Sequence, residues 1–351
     1  MRFSHLVALT ATLTTYALLA SPGLAAEAAP TLSGTTTTAV TAATSTPVRF
    51  ATFNVRTARA DIGTARHWLR RALPVAREIA SRKPGIVAIQ ELGPGRADGQ
   101  SISINGAPRQ TESLETALAS IGADRYKLAR TTAYVAPGTS HGTQGARILY
   151  DTSKYKLISK CVETTGKSNY NGSCAMDTTL KSGDSISLRR SAAYAEFEDR
   201  STGKSFWVIS VHLDERHSST LSKEVAFDTL RAQQARSVYA KVTALAGGAP
   251  ILFGGDFNSW KTKAGSHHPY NYLYGKGFRD ATSARSRIDA QYPTVNHWNT
   301  TLKANAAGRQ VALDVVMARG ATSFTRYENV MEVVDSSRPS DHNMVVSDLV
   351  L

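Results

Sequence analysis

The chain has 351 residues, 42% hydrophobic and 20% charged, which supplies enough apolar surface for a sizeable core and excludes a low-complexity polymer. Forty-one Lys and Arg against 28 Asp and Glu leave a net +13, which turns away cationic partners and favours polyanions such as nucleic acid or an anionic membrane surface. Two cysteines cannot by themselves complete a tetrahedral zinc site.

Arg2, the apolar run from Leu6 to Ala20 and the small residues Ala25, Ala26 and Ala28 read as a secretory signal, residues 1–28. The Ser-Pro-Gly break at 21–23 and the shortness of the run disfavour a membrane anchor. Removing this segment takes away Arg2 and Glu27, so the +13 belongs to the mature chain. Residues 29–47 are Thr- and Ala-rich with few large apolar side chains and read as a flexible leader, which leaves 48–351 as one domain.

From Val48 the texture changes. VRFATFNV alternates like a strand and ends on Asn54. Residues 65–82 carry apolar side chains at helical spacing, interrupted by Pro74; the opposite face, with Arg66, Arg70, Arg71 and Arg77, is either solvated or tracks phosphates. KPGIVAIQEL is a turn followed by a strand buried on both faces and closing on Gln90 and Glu91. A helix is expected near 112–120, then strands near 147–150, 155–159, 192–198 and 206–213, the last closing on His212. A long helix follows over 222–246, then a strand from Ile251 that delivers Asp256 and Asn258, with Phe257 turned into packing. Short strands at 311–317 and 344–350 close the chain. Export places Cys161 and Cys174 in an oxidising environment, and a bridge between them is worth about 3 kcal/mol on the loop-entropy view; two free thiols are the alternative.

Four apolar strands thus end in a chemistry-bearing residue: Asn54, Glu91, His212 and Asp256. In layered α/β proteins ligands gather at one sheet edge, so four such endings point to one shared site. Neither GKS tripeptide has the glycine that a phosphate-binding loop needs, and no GxSxG or HExxH occurs. What stands out is oxygen chemistry: Glu91, Asp256, Asp314 and Asp341, with Asn54 and Asn258, are hard donors suited to Mg²⁺, Mn²⁺ or Ca²⁺.

TFNV (52–55), QE (90–91), SVHL (210–213), GGDFN (254–258), LD (313–314) and SDH (340–342), in that order, resemble the endonuclease/exonuclease/phosphatase family that includes deoxyribonuclease I. The resemblance runs from about Val48 to the last residue. It implies a four-layered α/β sandwich of two mixed β-sheets flanked by helices, and a metal-dependent phosphoester hydrolase. By the same resemblance Glu91 is the principal metal ligand, with Asn54 beside it and Asp341 as a further ligand. Asp256 orients or deprotonates the attacking water, and Asn258 holds a phosphate oxygen. His342, oriented by Asp314, serves the phosphate or proton transfer, and His212 stabilises charge on the non-bridging oxygens. Arg190, in RSAAYAEF, resembles the family's phosphate-contacting arginine. Where members of this fold often carry Arg-Ile-Asp-Tyr, the chain has Ala312, Leu313, Asp314 and Val315, so the Asp is kept and its neighbours are not. A middle-chain tyrosine used by some members has no counterpart that aligns, the region holding Gln144 and Arg147 instead.

Two aromatic segments lie outside those motifs. HHPYNYLYGKGF (267–278) offers Tyr270, Tyr272 and Tyr274 beside Lys276 either for stacking bases or for ordinary packing, with His267 and His268 read as exposed neighbours. Trp298 lies in a stretch where relatives place substrate-facing loops. The expected protein is a secreted monomer, with no protein partner implied, that hydrolyses DNA or RNA with Mg²⁺, or Mn²⁺ or Ca²⁺. The alternatives are a sphingomyelinase or phospholipase C-type enzyme acting on membrane lipid, a small-molecule phosphatase, and a catalytically silent polyanion-binding protein.

Overall fold

Alternation along the first strand decides the whole arrangement. In β1 (Pro47–Asn54) Phe50 faces one hydrophobic cluster while Ala51 and Phe53 face another, so the even-numbered residues through Asn54 point one way. A computed structural model describes this chain over residues 45–93, 95–100, 107–129, 145–159, 174–177, 190–259, 268–304, 312–334 and 336–351. After β1 come α1 (Trp68–Arg82), β2 (Ile86–Gln90), α2 (Gln110–Ser120), β3 (Tyr126–Leu128), β4 (Arg147–Asp151), β5 (Tyr155–Leu157), β6 (Cys174–Asp177), β7 (Ser191–Asp199) and β8 (Ser205–His212). The second half supplies α3 (Leu221–Ala246), β9 (Ile251–Asp256), α4 (Pro269–Gly275), β10 (Arg279–Asp280), β11 (Ser286–Ile288), β12 (Asp314–Arg319), β13 (Ser323–Asn329) and β14 (Val345–Val350).

Two mixed sheets result. One runs β11-β13-β14-β1-β2-β4-β3; the other runs β10-β12-β9-β8-β7-β5, with β6 also paired to β7. Each has a parallel pair at its centre, β1 with β2 and β8 with β9, whose two strands end at the same edge of their sheet, and the first sheet has a further parallel pair in β11 with β13. Three apolar clusters separate four layers. The middle one, with Phe50, Ala88, Phe206, Val208, Leu252 and Val316, fills the space between the sheets. A second packs α1 and α2 on the first sheet, and a third packs α3 and α4 on the other. Each large buried side chain in these layers contributes about 1.5–3 kcal/mol. The expected four-layered sandwich is what forms. Gly254 sets how closely its sheets approach, because a Cβ there would meet the Phe50 ring at 2.8 Å and the Ala88 Cβ at 2.9 Å.

Several details differ from the sequence reading. Pro74 does not divide α1, which runs as one helix to Lys83 in the left-handed conformation, held by burial of Trp68, Val75, Ala76 and Ile79. Arg71 belongs to no solvated face: it is buried and donates to the carbonyls of Val55, Arg56, Arg66 and Pro339. Residues 269–275 form a helix rather than a loop, with Pro269 in its first turn and the buried His268 accepting from Tyr270 N at 3.0 Å, so His268 is not exposed. There Tyr270 and Tyr272 pack against the α3 cluster, Tyr272 edge-on to Tyr239 at 6.1 Å, which is the packing role; Tyr274 stays exposed. Thr46 is buried and paired through its backbone with Leu351, so the pairing of this edge includes residues ahead of Val48. β13 was not expected, because a bulge between Phe324 and Arg326 breaks its alternation and leaves the buried Phe324 and Tyr327 three residues apart.

The signal segment, nearly all of the leader, Cys161 with its expected bridge to Cys174, Gln144 and His267 lie outside the described residues. No described helix is long and apolar enough to cross a membrane.

Candidate active site

Strand register builds half of the site. β9 lies between β8 and β12, and the pairing sets His212 opposite Asp256 and Asp256 opposite Asp314. All three residues share the parity of Val208, Leu252 and Val316, so they point between the sheets, at the edge where the apolar filling stops. Asn54 reaches the same point from β1, again by parity.

Glu91 could not arrive that way. The residue after Gln90 has the parity of Ile89, which faces the helices. Its backbone is left-handed, with φ 58°, and this turn swings the carboxylate back toward the sheet edge. There Oε1 accepts from Asn54 Nδ2 and Oε2 from Thr57 N, at 3.1 and 3.0 Å. The same Asn54 nitrogen donates to Asp256 Oδ2 at 3.1 Å, so one amide ties the carboxylates of the two sheets together. Asn258 also leaves the extended conformation, with φ 48°. Its N–H caps Asp256 Oδ1 at 2.9 Å and its Nδ2 donates to the Leu213 carbonyl at 3.0 Å. Strand alternation therefore does not place Asn258 beside Asp256; a turn does.

His342 enters from the segment before β14. Its Nδ1 meets Asp314 Oδ2 at 2.9 Å, and its Nε2 lies 3.8 Å from Asp256 Oδ2, while His212 Nε2 approaches that oxygen at 3.6 Å from the other side. One buried carboxylate oxygen thus stands between two imidazoles. Burial, with Asp314 nearby, pushes Asp256 up to about 7, although His342 opposes the shift. Burial lowers His342, but Asp314 and Asp256 outweigh it and raise the imidazole to about 10. Burial, Arg190 and His342 together hold His212 well below its usual range, so His212 is neutral. Among the described residues its Nδ1 has no hydrogen-bond partner.

Arg190 and Asp341 stand further out. Arg190 is buried at the start of β7, meets Glu215 at 3.3 Å and is close enough to depress His212. Asp341 Oδ2 accepts from Arg56 at 2.5 Å, while its Oδ1 lies 3.3 Å from Ser340 Oγ, whose hydrogen goes to the Asn54 carbonyl. Asn54 turns its donor nitrogen, not its oxygen, toward the carboxylates, its Oδ1 accepting from Arg56 N at 3.0 Å.

For a divalent cation the donor set fits at Glu91 and Asp256. Two carboxylates from different sheets are held on one amide, an arrangement of like charges that a cation relieves. Asp256, Asp314 and His342 also offer ligand atoms within 4.8 Å of one another. That second grouping is the poorer site, because Asp314 Oδ2 and His342 Nδ1 already satisfy each other.

Three contributors escaped the sequence reading. Gln90 bridges the sheets beneath the site, accepting from Thr52 Oγ1 at 3.2 Å and donating to Ser210 Oγ at 3.3 Å. Ser340 donates to the Asn54 carbonyl at 2.7 Å, and Thr294 Oγ1 accepts from Asp314 N at 3.1 Å. Gln90 and Ser340 fall inside the QE and SDH motifs, which was the signal that could have found them; Thr294 carries none.

A family model described as "Endonuclease/Exonuclease/phosphatase family" matches residues 51–342. Solved structures share the fold at low sequence identity. A family protein from Bacteroides thetaiotaomicron is 19% identical over 88% of this chain and 97% of its own, with a TM-score of 0.63. A mannosyl-6-phosphatase from the same organism is 19% identical over 87% and 100%, with a TM-score of 0.61. D. rerio TDP2, complexed with single strand DNA product, is 16% identical over 86% and 98%, with a TM-score of 0.52. No curated protein is similar enough in sequence to stand as a relative.

Proposed function

This chain belongs to the endonuclease/exonuclease/phosphatase family and is a phosphoester hydrolase, and from that premise we propose that it is a secreted, Mg²⁺-dependent phosphodiesterase whose substrate is nucleic acid. The observation that carries the chemistry is Asp256 Oδ2, buried between His212 and His342 and tied through Asn54 to Glu91. The net +13 carries the preference for a polyanion. The signal-like residues 1–28 support export.

The family is generally dependent on a divalent metal, which Glu91 and Asp256 would hold. When bound, such an ion supplies Lewis-acid charge for the phosphate and makes water a better nucleophile at neutral pH. The side chains divide the remaining work. Asp256 orients the attacking water and takes its proton. His342, kept protonated and oriented by Asp314, donates to the phosphate or the leaving oxygen. Neutral His212 donates one N–H to a non-bridging oxygen, and Asn258 offers its remaining amide hydrogen there.

The test is one panel of plasmid DNA, RNA, sphingomyelin and a chromogenic phosphodiester, each with Mg²⁺ and with EDTA. Cleavage of DNA or RNA that EDTA abolishes is the expected result. Turnover of sphingomyelin alone would replace nucleic acid with lipid as substrate.

A further inference from the structure

Next to the catalytic edge the segment joining β1 to α1 meets the loop around Trp298, and this junction is unusually rich in guanidinium groups. Arg56, Arg66 and Arg71 each lie over the Trp298 ring, at 5.8, 5.3 and 5.3 Å from its centroid. Two of the three are committed elsewhere. Arg71 is buried and spends its donors on backbone carbonyls, and Arg56 pairs with Asp61 at 2.6 Å and Asp341 at 2.5 Å. Arg66 differs: it is exposed, and its guanidinium has no hydrogen bond or ion pair among the described residues. Arg59 on the same segment and Arg70 in the first turn of α1 are likewise exposed and have no carboxylate partner among the described residues.

The Trp298 platform is a constrained piece of backbone. His297 and Trp298 are both left-handed, with φ 50° and 68°. The turn is held by Trp298 N donating to Asn296 Oδ1 at 2.7 Å, by His297 N donating to the Asp341 carbonyl at 3.1 Å, and by Arg338 donating to the carbonyls of Asn299 and Thr300. Such conformations persist only where the surroundings over-determine them. The loop is therefore anchored to Asp341, the neighbour of His342, and the ring carries Arg66 at a set position.

We infer that Arg66, stacked on Trp298, is a binding site for a backbone phosphate of a polynucleotide adjacent to the scissile one. The inference rests on the nucleic-acid reading and sharpens it: the substrate is a polymer with a second phosphate in reach, rather than a sugar phosphate or a mononucleotide. Stacking pre-orders a guanidinium that would otherwise be mobile, so less entropy is lost when its fork meets phosphate oxygens. The same charge draws the strand toward Asp256 and His342.

The test measures binding as well as turnover. A fluorescein-labelled single-stranded oligonucleotide is titrated in EDTA, at several salt concentrations, with the wild-type chain, Arg66→Ala and Trp298→Ala. In parallel, kcat and KM are measured on the oligonucleotide and on bis(p-nitrophenyl) phosphate. Arg66→Ala is expected to weaken binding roughly 3–10-fold and to reduce the slope of log affinity against log salt by about one. Its KM on the oligonucleotide rises while turnover of the small diester is unchanged, and Trp298→Ala reproduces the binding loss. Unchanged affinity and salt slope in Arg66→Ala would overturn the site. A wild-type chain that binds the oligonucleotide through Arg66 but cleaves no nucleic acid would defeat the proposed activity and leave the binding site standing.

Discussion

The two sheets bring their groups to the site by different means. On the second sheet His212, Asp256 and Asp314 stand on three neighbouring strands in direct register, and a one-residue slip would turn Val208, Leu252 and Val316 out of the core together with them. On the first sheet only Asn54 is placed by its strand. Glu91 depends on a left-handed turn and two hydrogen bonds, and His342 depends on a loop held by Ser340 Oγ and by Asn343 N donating to the Thr294 carbonyl. The packing of the core therefore fixes the base, while local hydrogen bonds fix the metal ligand and the acid. The second set is the more easily retuned by substitution.

The largest effect should come from the register-fixed centre. Asp256→Asn is expected to lower kcat by about 10³-fold or more while circular dichroism stays close to wild type, since the side-chain shape is kept and the amide oxygen still accepts from one of Asn54 and Asn258. Asp314→Asn comes next, with a loss of about 10²-fold. Removing the charge beside His342 lowers the imidazole's proton affinity, so the alkaline limb of the pH–rate profile should move to lower pH. An unshifted limb would show that His342 is not the titrating acid.

Glu91→Gln should act through the metal, raising the Mg²⁺ concentration for half-maximal rate by about 10–100-fold and recovering part of the rate at high Mg²⁺. A rate loss that no Mg²⁺ concentration relieves would contradict its role as ligand.

The smallest effect is on stability and lies away from the site. Glu78 is buried in α1, where desolvation, with Glu332 adding, raises its carboxyl to about 8. Its folded-state pKa exceeds the unfolded one, so the folded chain holds a proton that the unfolded chain has lost between roughly pH 4.5 and 8. Stability should fall as pH rises through that window, by about 1.4 kcal/mol per unit of displacement at most. Glu78→Gln should flatten this part of the curve in denaturant titrations. A wild-type curve that is flat over the same range would show that Glu78 is ionised throughout.

What was legible in the sequence follows the same division. Apolar strands ending on Asn54, His212 and Asp256 announce a site because register translates directly into position. Glu91 is visible as a residue type, yet alternation alone puts it on the helix side, and nothing in QEL signals the turn that reverses it. Asn258 fails for the same reason, its cap on Asp256 being a turn property. Arg71 reads as one of four surface cations, because burial of a guanidinium against carbonyls depends on the contact with Pro339, 268 residues away in sequence. β13 escapes because its bulge breaks the period from which strands are read.

The central claim is that groups from both sheets act as one hydrolytic centre. Its most direct test is a double-mutant cycle on kcat/KM for bis(p-nitrophenyl) phosphate, comparing Glu91→Gln, Asp256→Asn and the double variant at fixed Mg²⁺. The double variant should be hardly slower than the worse single one, because either change disables the same centre. Losses that multiply across the pair would mean that Glu91 and Asp256 contribute independently, and the single site tied through Asn54 would be wrong.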